Sequence, residues 1–463
     1  MTPILLNPTD VLFFRDGRPM SGSLSGHGAA WPLPNVISHA FHAALHRAEL
    51  EGVHAHRRGR SGQYSSDKDH RDRKFGSLVT AGPFPVCTNG AGHTWFFPRP
   101  MDAGAKDSIA TTLHPTASHG SSSLPVPLRY PVGNAAPPTK DKVATWWSEG
   151  AWNAYLGTAQ RDGLAARPFF KTDSEFADTE ATYGIGIDPS TGTVEESKFF
   201  SASYLRLRDG WRLGTFATAP DKDFCDIGGN KDLVTALLNG QGGQILVGGQ
   251  QRVCSAIRDA SIRGRLPLPL GKADSFSSFS SSSSGKHRVK WILLTPAIWP
   301  EIEANPQQGI TAHHGGWLPN WIHQSDGQVL LKSGDCTRHP GEGREAWRHR
   351  VRDLPHLAAK LVAAITGKPL PVTGWALPNG TDRPEGGAKS THLAVPAGSV
   401  YYFECADETA ARKLAAALNW HGAIPSEISD FKSQIKNRRS TLMGEKGFGL
   451  GVCGTWELLP PPP

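Results

Sequence analysis

The six cysteines of this chain, Cys87, Cys225, Cys254, Cys336, Cys405 and Cys453, are scattered and never form a Cys-x-x-Cys pair. Their scatter argues against a zinc ribbon or a disulfide scaffold, and reduced thiols in a cytoplasmic protein are the expectation. Long apolar runs are lacking as well: none approaches the roughly 20 residues of a membrane span. The short apolar stretch in Met1-Thr2-Pro3-Ile4-Leu5-Leu6 has no basic residue before it, so no signal peptide is expected. A Walker loop, Gly-x-x-x-x-Gly-Lys-[Ser/Thr], is missing too. Acids are mildly under-represented, with 42 Asp and Glu against 49 Lys and Arg. A net charge of +7 and an isoelectric point near 9.1 suggest nucleic acid without requiring it.

With 463 residues the chain is long enough for two or three domains. Its 51 glycines, 36 prolines and 14 tryptophans indicate a loop-rich β and α+β protein. Ile4 to Phe14 reads as a strand, and Arg15-Asp16-Gly17-Arg18-Pro19 as a charged turn. After Pro32-Leu33-Pro34, the spacing of Val36, Ile37, Ala40, Phe41, Ala44, Leu45 and Ala48 predicts a helix from Asn35 to Leu50, with Asn35 as its cap. His54 to Lys74 reads as a loop, and Ala103 to Lys142 as an irregular Pro- and Ser-rich stretch. Thr182 to Arg208 predicts strands around Asp188-Pro189-Ser190-Thr191-Gly192, and Gln244 to Val253 and Val289 to Thr295 predict two more. Nearly pure serine from Ser275 to Gly285 reads as a linker or loop between an N-terminal unit, 1–274, and a C-terminal unit, 286–463.

The last segment carries the strongest local signal. Strand Val400 to Glu404 is followed by a helix from Asp407 to Trp420, capped by Asp407. A basic connection with Lys432, Lys436, Arg438 and Arg439 then leads to Lys446-Gly447-Phe448-Gly449-Leu450-Gly451 and a strand to Leu458. Glycines admit positive φ and close approach of backbone N–H groups to a partner. Such N–H groups form an anion-binding concavity, which lysine reinforces and an aromatic ring completes by stacking on a base. A bulge or packing turn is the plainer alternative. Strand, helix and returning strand make half of a ferredoxin-like fold, and the N-terminal strand–turn–helix can begin a second copy. The expected fold class is therefore α+β, with two ferredoxin-like (RRM-like) domains and long loop insertions.

Several stretches together carry a resemblance. Phe14-Arg15-Asp16-Gly17-Arg18-Pro19 resembles the signature of the RAMP-superfamily family that supplies the third subunit of the Cmr complex, the type III-B CRISPR RNA-targeting effector. Gly184-Ile185-Gly186-Ile187-Asp188 through Phe199-Phe200-Ser201-Ala202-Ser203-Tyr204-Leu205-Arg206 is similar to its central hairpin. Pro371-Val372-Thr373-Gly374-Trp375 and Val395 to Glu404 are similar to its penultimate block, and Gly447-Phe448-Gly449 resembles the RAMP glycine-rich loop. The blocks occur in family order from residue 14 to residue 456. Met20 stands where the family often has an aromatic, and Gln250 and Gln251 lie where a glutamate is expected.

The resemblance implies a non-catalytic, cytoplasmic RNA-binding subunit that acts in antiviral defence within a ribonucleoprotein. Its partners would be the 5′ handle of the CRISPR RNA, the large polymerase/cyclase-like subunit and the adjacent backbone subunit, with no membrane, cofactor or metal. The residues expected to contact RNA are Arg15, Arg18, Lys436, Arg438, Arg439, Lys446, Gly447, Phe448, Gly449 and Gly451. Arg15 and Arg18 can bind phosphate bidentately, while Asp16 can equally pair with either and lock the turn.

Two alternatives stay open. Other RAMP proteins cleave RNA through a histidine near their first helix, and here His39, His42 and His46 share one face of that helix. Against an endoribonuclease or a zinc site, His42-Ala43-Ala44-Leu45-His46 lacks the glutamate of His-Glu-x-x-His and shows no carboxylate partner. The other alternative is a structural subunit without RNA contact. Trp146, Trp147, Trp317 and Trp321 are expected at interfaces rather than on bases.

Overall fold

The computed structural model describes residues 1–15, 24–26, 31–48, 78–90, 92–103, 113–117, 123–133, 144–156, 169–219, 232–239, 243–259, 261–262, 287–308, 310–336, 338–376, 386–420 and 442–459. The chain opens on β1 (Thr2–Pro8), β2 (Leu24–Gly26) and helix α1 (Pro34–Arg47). There follow β3 (Val79–Asn89), β4 (Gly92–Pro98), β5 (Trp146–Ser148), α2 (Glu149–Tyr155), β6 (Phe170–Lys171) and α3 (Asp173–Phe176). Then come β7 (Ala177–Ile187), β8 (Val194–Leu207), β9 (Trp211–Thr218), α4 (Leu233–Asn239), β10 (Gly243–Leu246) and β11 (Val253–Arg258). The C-terminal part holds β12 (His287–Leu293), α5 (Arg344–Asp353), β13 (Ala359–Ile365), β14 (Val400–Cys405), α6 (Glu408–Leu418) and β15 (Gly451–Gly454).

These elements make a mixed α and β protein dominated by antiparallel sheets. An eight-stranded sheet has the order β10-β11-β1-β9-β3-β4-β5-β6, and a four-stranded one the order β13-β14-β12-β15. Each sheet contains four strands that repeat one pattern: the first lies beside the third, the second outside the third, and the fourth outside the first. In the large sheet these are β1, β3, β9 and β11; in the small one, β12, β13, β14 and β15. Strands β7 and β8 form a separate antiparallel hairpin, joined in parallel by β2.

Helix α1 forms where its apolar positions recur, and Ile37, Ala40, Phe41, Ala44 and Leu45 are buried against the large sheet. Its start differs from the expectation. Leu33 occupies the N-cap without a side-chain bond, and Pro34 enters the first turn, where its missing N–H costs nothing. In α6 the expected cap is present: Asp407 Oδ1 accepts from the Ala410 N–H at 2.7 Å. The single strand expected over Gln244 to Val253 is instead two, β10 and β11, paired across a turn in which Gln250 and Gln251 take φ of 56° and 52°. The first strand stops at Pro8 rather than Phe14, and the last at Gly454 rather than Leu458.

One hydrophobic core runs through both sheets, joining Leu6, Phe84 and Phe216 of the first to Ile292, Val400, Tyr402 and Val452 of the second. Trp146, Trp147 and Trp321 are buried in the protein's own cores, so the expectation that they serve interfaces is corrected; Trp317 is only partly buried. The stretches 54–74 and 275–285 lie outside the described residues. Among those described, no helix is long and apolar enough to cross a membrane.

Candidate nucleic-acid interface

The glycine-rich segment follows a 3-10 turn over Gly444–Lys446 and runs across the start of α1. Gly447 has φ of 93° and lies so close to β3 that an added Cβ would stand 3.0 Å from the Thr80 carbonyl and 3.3 Å from Pro34. Only glycine combines that backbone sign with that approach. The loop is thereby pressed onto the protein rather than held open.

Its donors are committed accordingly. The Gly447 N–H donates to Gly444 O at 3.1 Å, Gly449 N–H to Pro296 O at 2.8 Å, and Leu450 N–H to Thr295 Oγ1 at 2.9 Å. Phe448 is fully buried beside Ile298, Val372 and Ala394. Gly451 is buried in β15, where a Cβ would run into the Trp291 indole nitrogen. Gly447, Phe448, Gly449 and Gly451 therefore act as packing elements in this conformation, with no open row of N–H groups and no exposed ring. The reason is local: the same residues that let a backbone approach a phosphate also let it approach its own sheet.

What the loop presents outward is Lys446. Its Nζ lies 3.2 Å from Nε2 of His39, a residue 407 positions away in sequence. An ammonium has only donors, so His39 Nε2 must be the unprotonated acceptor. Loss of water around the ring, followed by the like charges of Lys446, Lys389 and His42, pushes the His39 pKa down to about 4, although the residue remains exposed. His42 and His46 continue the same helix face, their rings 4.7 Å apart edge to face. The result is a ledge on the exposed face of α1 in which Lys446 meets an unprotonated imidazole nitrogen, with the charge of Lys389 near enough to act on the ring. Among the described residues, no three His, Cys, Asp or Glu side chains converge to hold a metal.

Arg15 stands elsewhere. It is exposed, next to the buried Phe14, whose ring packs against the Gly248 backbone. Nearby, Arg252 lies over the Tyr204 ring at 5.2 Å, and Tyr204 Oη donates to Gln250 at 3.0 Å. Arg18, Lys436, Arg438 and Arg439 lie outside the described residues. Sequence spacing gave the histidine face but not its neighbours: nothing in the linear pattern pairs Lys446 with His39 or brings Lys389 to them.

The hairpin offers a second kind of surface. Tyr183, Ile185 and Ile187 alternate on one face of β7, with Val194 opposite Ile187, and all four are at least half exposed. Contiguous exposed apolar surface is a form that interaction sites take.

Residues 4–456 match the model of the CRISPR-associated protein family Cas_Cmr3, and the chain belongs to that family. The fold is also similar to a chain in a cryo-EM structure of the type III-B Cmr-beta complex bound to cognate target RNA, at 15% identity and a TM-score of 0.40, covering 96% of this chain and 95% of that one. A chain of the Csm3–Csm4 subcomplex of the type III-A interference complex gives 10% identity and a TM-score of 0.35, covering 87% and 92%. No curated protein matches the chain.

Proposed function

We propose that this protein is a non-catalytic RNA-binding subunit of a type III-B effector complex, holding the 5′ handle of the CRISPR RNA and docking the large subunit onto the backbone. The 4-1-3-2 order shared by the two sheets supports reading each as a ferredoxin-like unit with insertions. The observation that carries the RNA reading is the ledge of Lys446, Lys389 and His39 on a member of this family. Phosphate contact falls to the lysines and Arg15, with the glycines supplying the platform. Arg18, Lys436, Arg438 and Arg439 complete the proposed set. Docking falls to the apolar strip of the hairpin.

The test is a salt titration of handle-RNA affinity in the assembled complex. Lys446→Ala and Lys389→Ala should each flatten the dependence of log K on log salt by about 0.7 per phosphate lost. Unchanged affinity and slope in both folded variants would return the ledge to a solvated surface.

A neutral imidazole beside an ammonium also favours, as second reading, an endoribonuclease of the RAMP type. In this arrangement Lys446 occupies the lone pair that a general base would use, which supports the non-catalytic reading. Metal-independent cleavage of repeat RNA that disappears in His39→Ala or His42→Ala would promote the enzyme.

A further inference from the structure

Helix α5 lies in the long connection between β12 and β13, and none of its residues is buried. A helix without a buried face needs another source of stability. Part of it comes from one flank. Trp347 Nε1 donates to Cys336 O at 3.0 Å, Arg350 pairs with Glu342 at 2.8 Å and donates to Asp335 O at 2.7 Å. At the C-terminal end, Lys332 Nζ donates to the carbonyls of Arg352 and Leu354 at 2.8 and 2.7 Å, where the helix dipole favours a cation.

The opposite flank is different. Arg344, Arg348 and Arg352 follow one another at i, i+4 and i+8, so their side chains stand in a row with about 6 Å of rise between neighbours. All three are exposed, and no ion pair joins them to any described residue, in contrast to Arg350 on the inner flank. Three like charges in one row repel each other and gain from a shared anion. Glu345 is the acid nearest to the row in the helical projection, and it occupies the first turn, where the dipole favours it.

We propose that this arginine row is a second RNA-binding surface, on the C-terminal unit and separate from the Lys446 ledge, that grips successive phosphates of a strand. The guanidinium fork binds phosphate bidentately, which an ammonium cannot do. A protein partner is the less fitting occupant, because protein interfaces centre on apolar and aromatic anchors with charge depleted at the core, and this row has no such anchor. The proposal rests on the RNA-binding reading above only for the identity of the polyanion.

The test uses the full chain and fluorescein-labelled oligouridine, with affinity read by anisotropy across a salt series. The triple variant Arg344→Gln, Arg348→Gln, Arg352→Gln should bind at least about tenfold more weakly at low salt. Its salt slope should be shallower by about two, from roughly 0.7 per phosphate for single strands. Glu345→Gln should bind more tightly, a gain that misfolding cannot produce. Wild-type affinity and slope in the triple variant overturn the proposal. So does a triple variant that keeps oligouridine binding but no longer co-purifies with the other subunits, which would assign the row to an acidic protein. Lys446→Ala in the same assay reports on the ledge alone, so failure of one site is distinguishable from failure of the other.

Discussion

Lys290 Nζ sits 2.7 Å from Asp102 Oδ2, with both side chains buried, and joins the loop after β4 to β12, an inner strand of the small sheet. Tyr155 Oη donates to the other carboxylate oxygen at 2.6 Å, and the ammonium lies 4.2 Å above the Tyr155 ring. The carboxylate thus has a partner on each oxygen, which a buried ion pair requires in order to offset its desolvation. Burial, reinforced by Asp102, holds the Tyr155 hydroxyl well above its ordinary pKa, so it stays a donor.

Removing one side of this pair should be costly. Asp102→Ala leaves Lys290 buried without its counter-charge and should lower stability by about 3–5 kcal/mol in a denaturant melt. The double variant Asp102→Leu with Lys290→Met should recover a large part of the loss. A double variant no better than the single one would show that the site needs its charges.

The His39 ring gives a pH signature. Its pKa is depressed to about 4 from 6.5, so the unfolded chain takes up a proton that the folded one refuses. The contribution is complete above pH 6.5 and is lost as pH falls through that window toward 4. His39→Gln should flatten the decline of melting temperature there, by a small amount because the residue is exposed to screening. In Lys446→Ala, NMR titration should find the His39 pKa moved back toward its ordinary value.

The loop glycines should behave as packing residues. Gly451→Ala places a Cβ against the Trp291 indole and 2.7 Å from the Ile292 carbonyl, and should cost about 1–3 kcal/mol by circular dichroism melts. Phe448→Ala empties a fully buried site and should cost about 3–5 kcal/mol. A Phe448→Ala protein of native stability that has lost RNA affinity would return the ring to the RNA.

The hairpin strip should matter for assembly and not for folding. Ile185 and Ile187 are 50% and 60% exposed, so Ile185→Asp with Ile187→Asp should leave the melting temperature nearly unchanged. The same variant should co-purify less well with its partner subunits. Undiminished co-purification would place the docking surface elsewhere.

What the sequence determined is what period and local chemistry can encode. The stripe Ile37, Phe41, Ala44 and Leu45 specified a helix, Asp407 specified a cap, and the ordered motifs from Phe14 to Trp456 specified the family. Boundaries slipped where a backbone turn interrupted an apolar run, as at Gly248 to Gln251 between β10 and β11. Tertiary structure alone decided where the glycine loop faces. Gly447 and Gly451 have the same freedom to approach a phosphate or a strand, and contact with Thr80 and Trp291 chose the strand. It also brought Lys446 to His39 and Lys290 to Asp102, because polar side chains 407 and 188 positions apart have no common period and meet only through the tertiary fold.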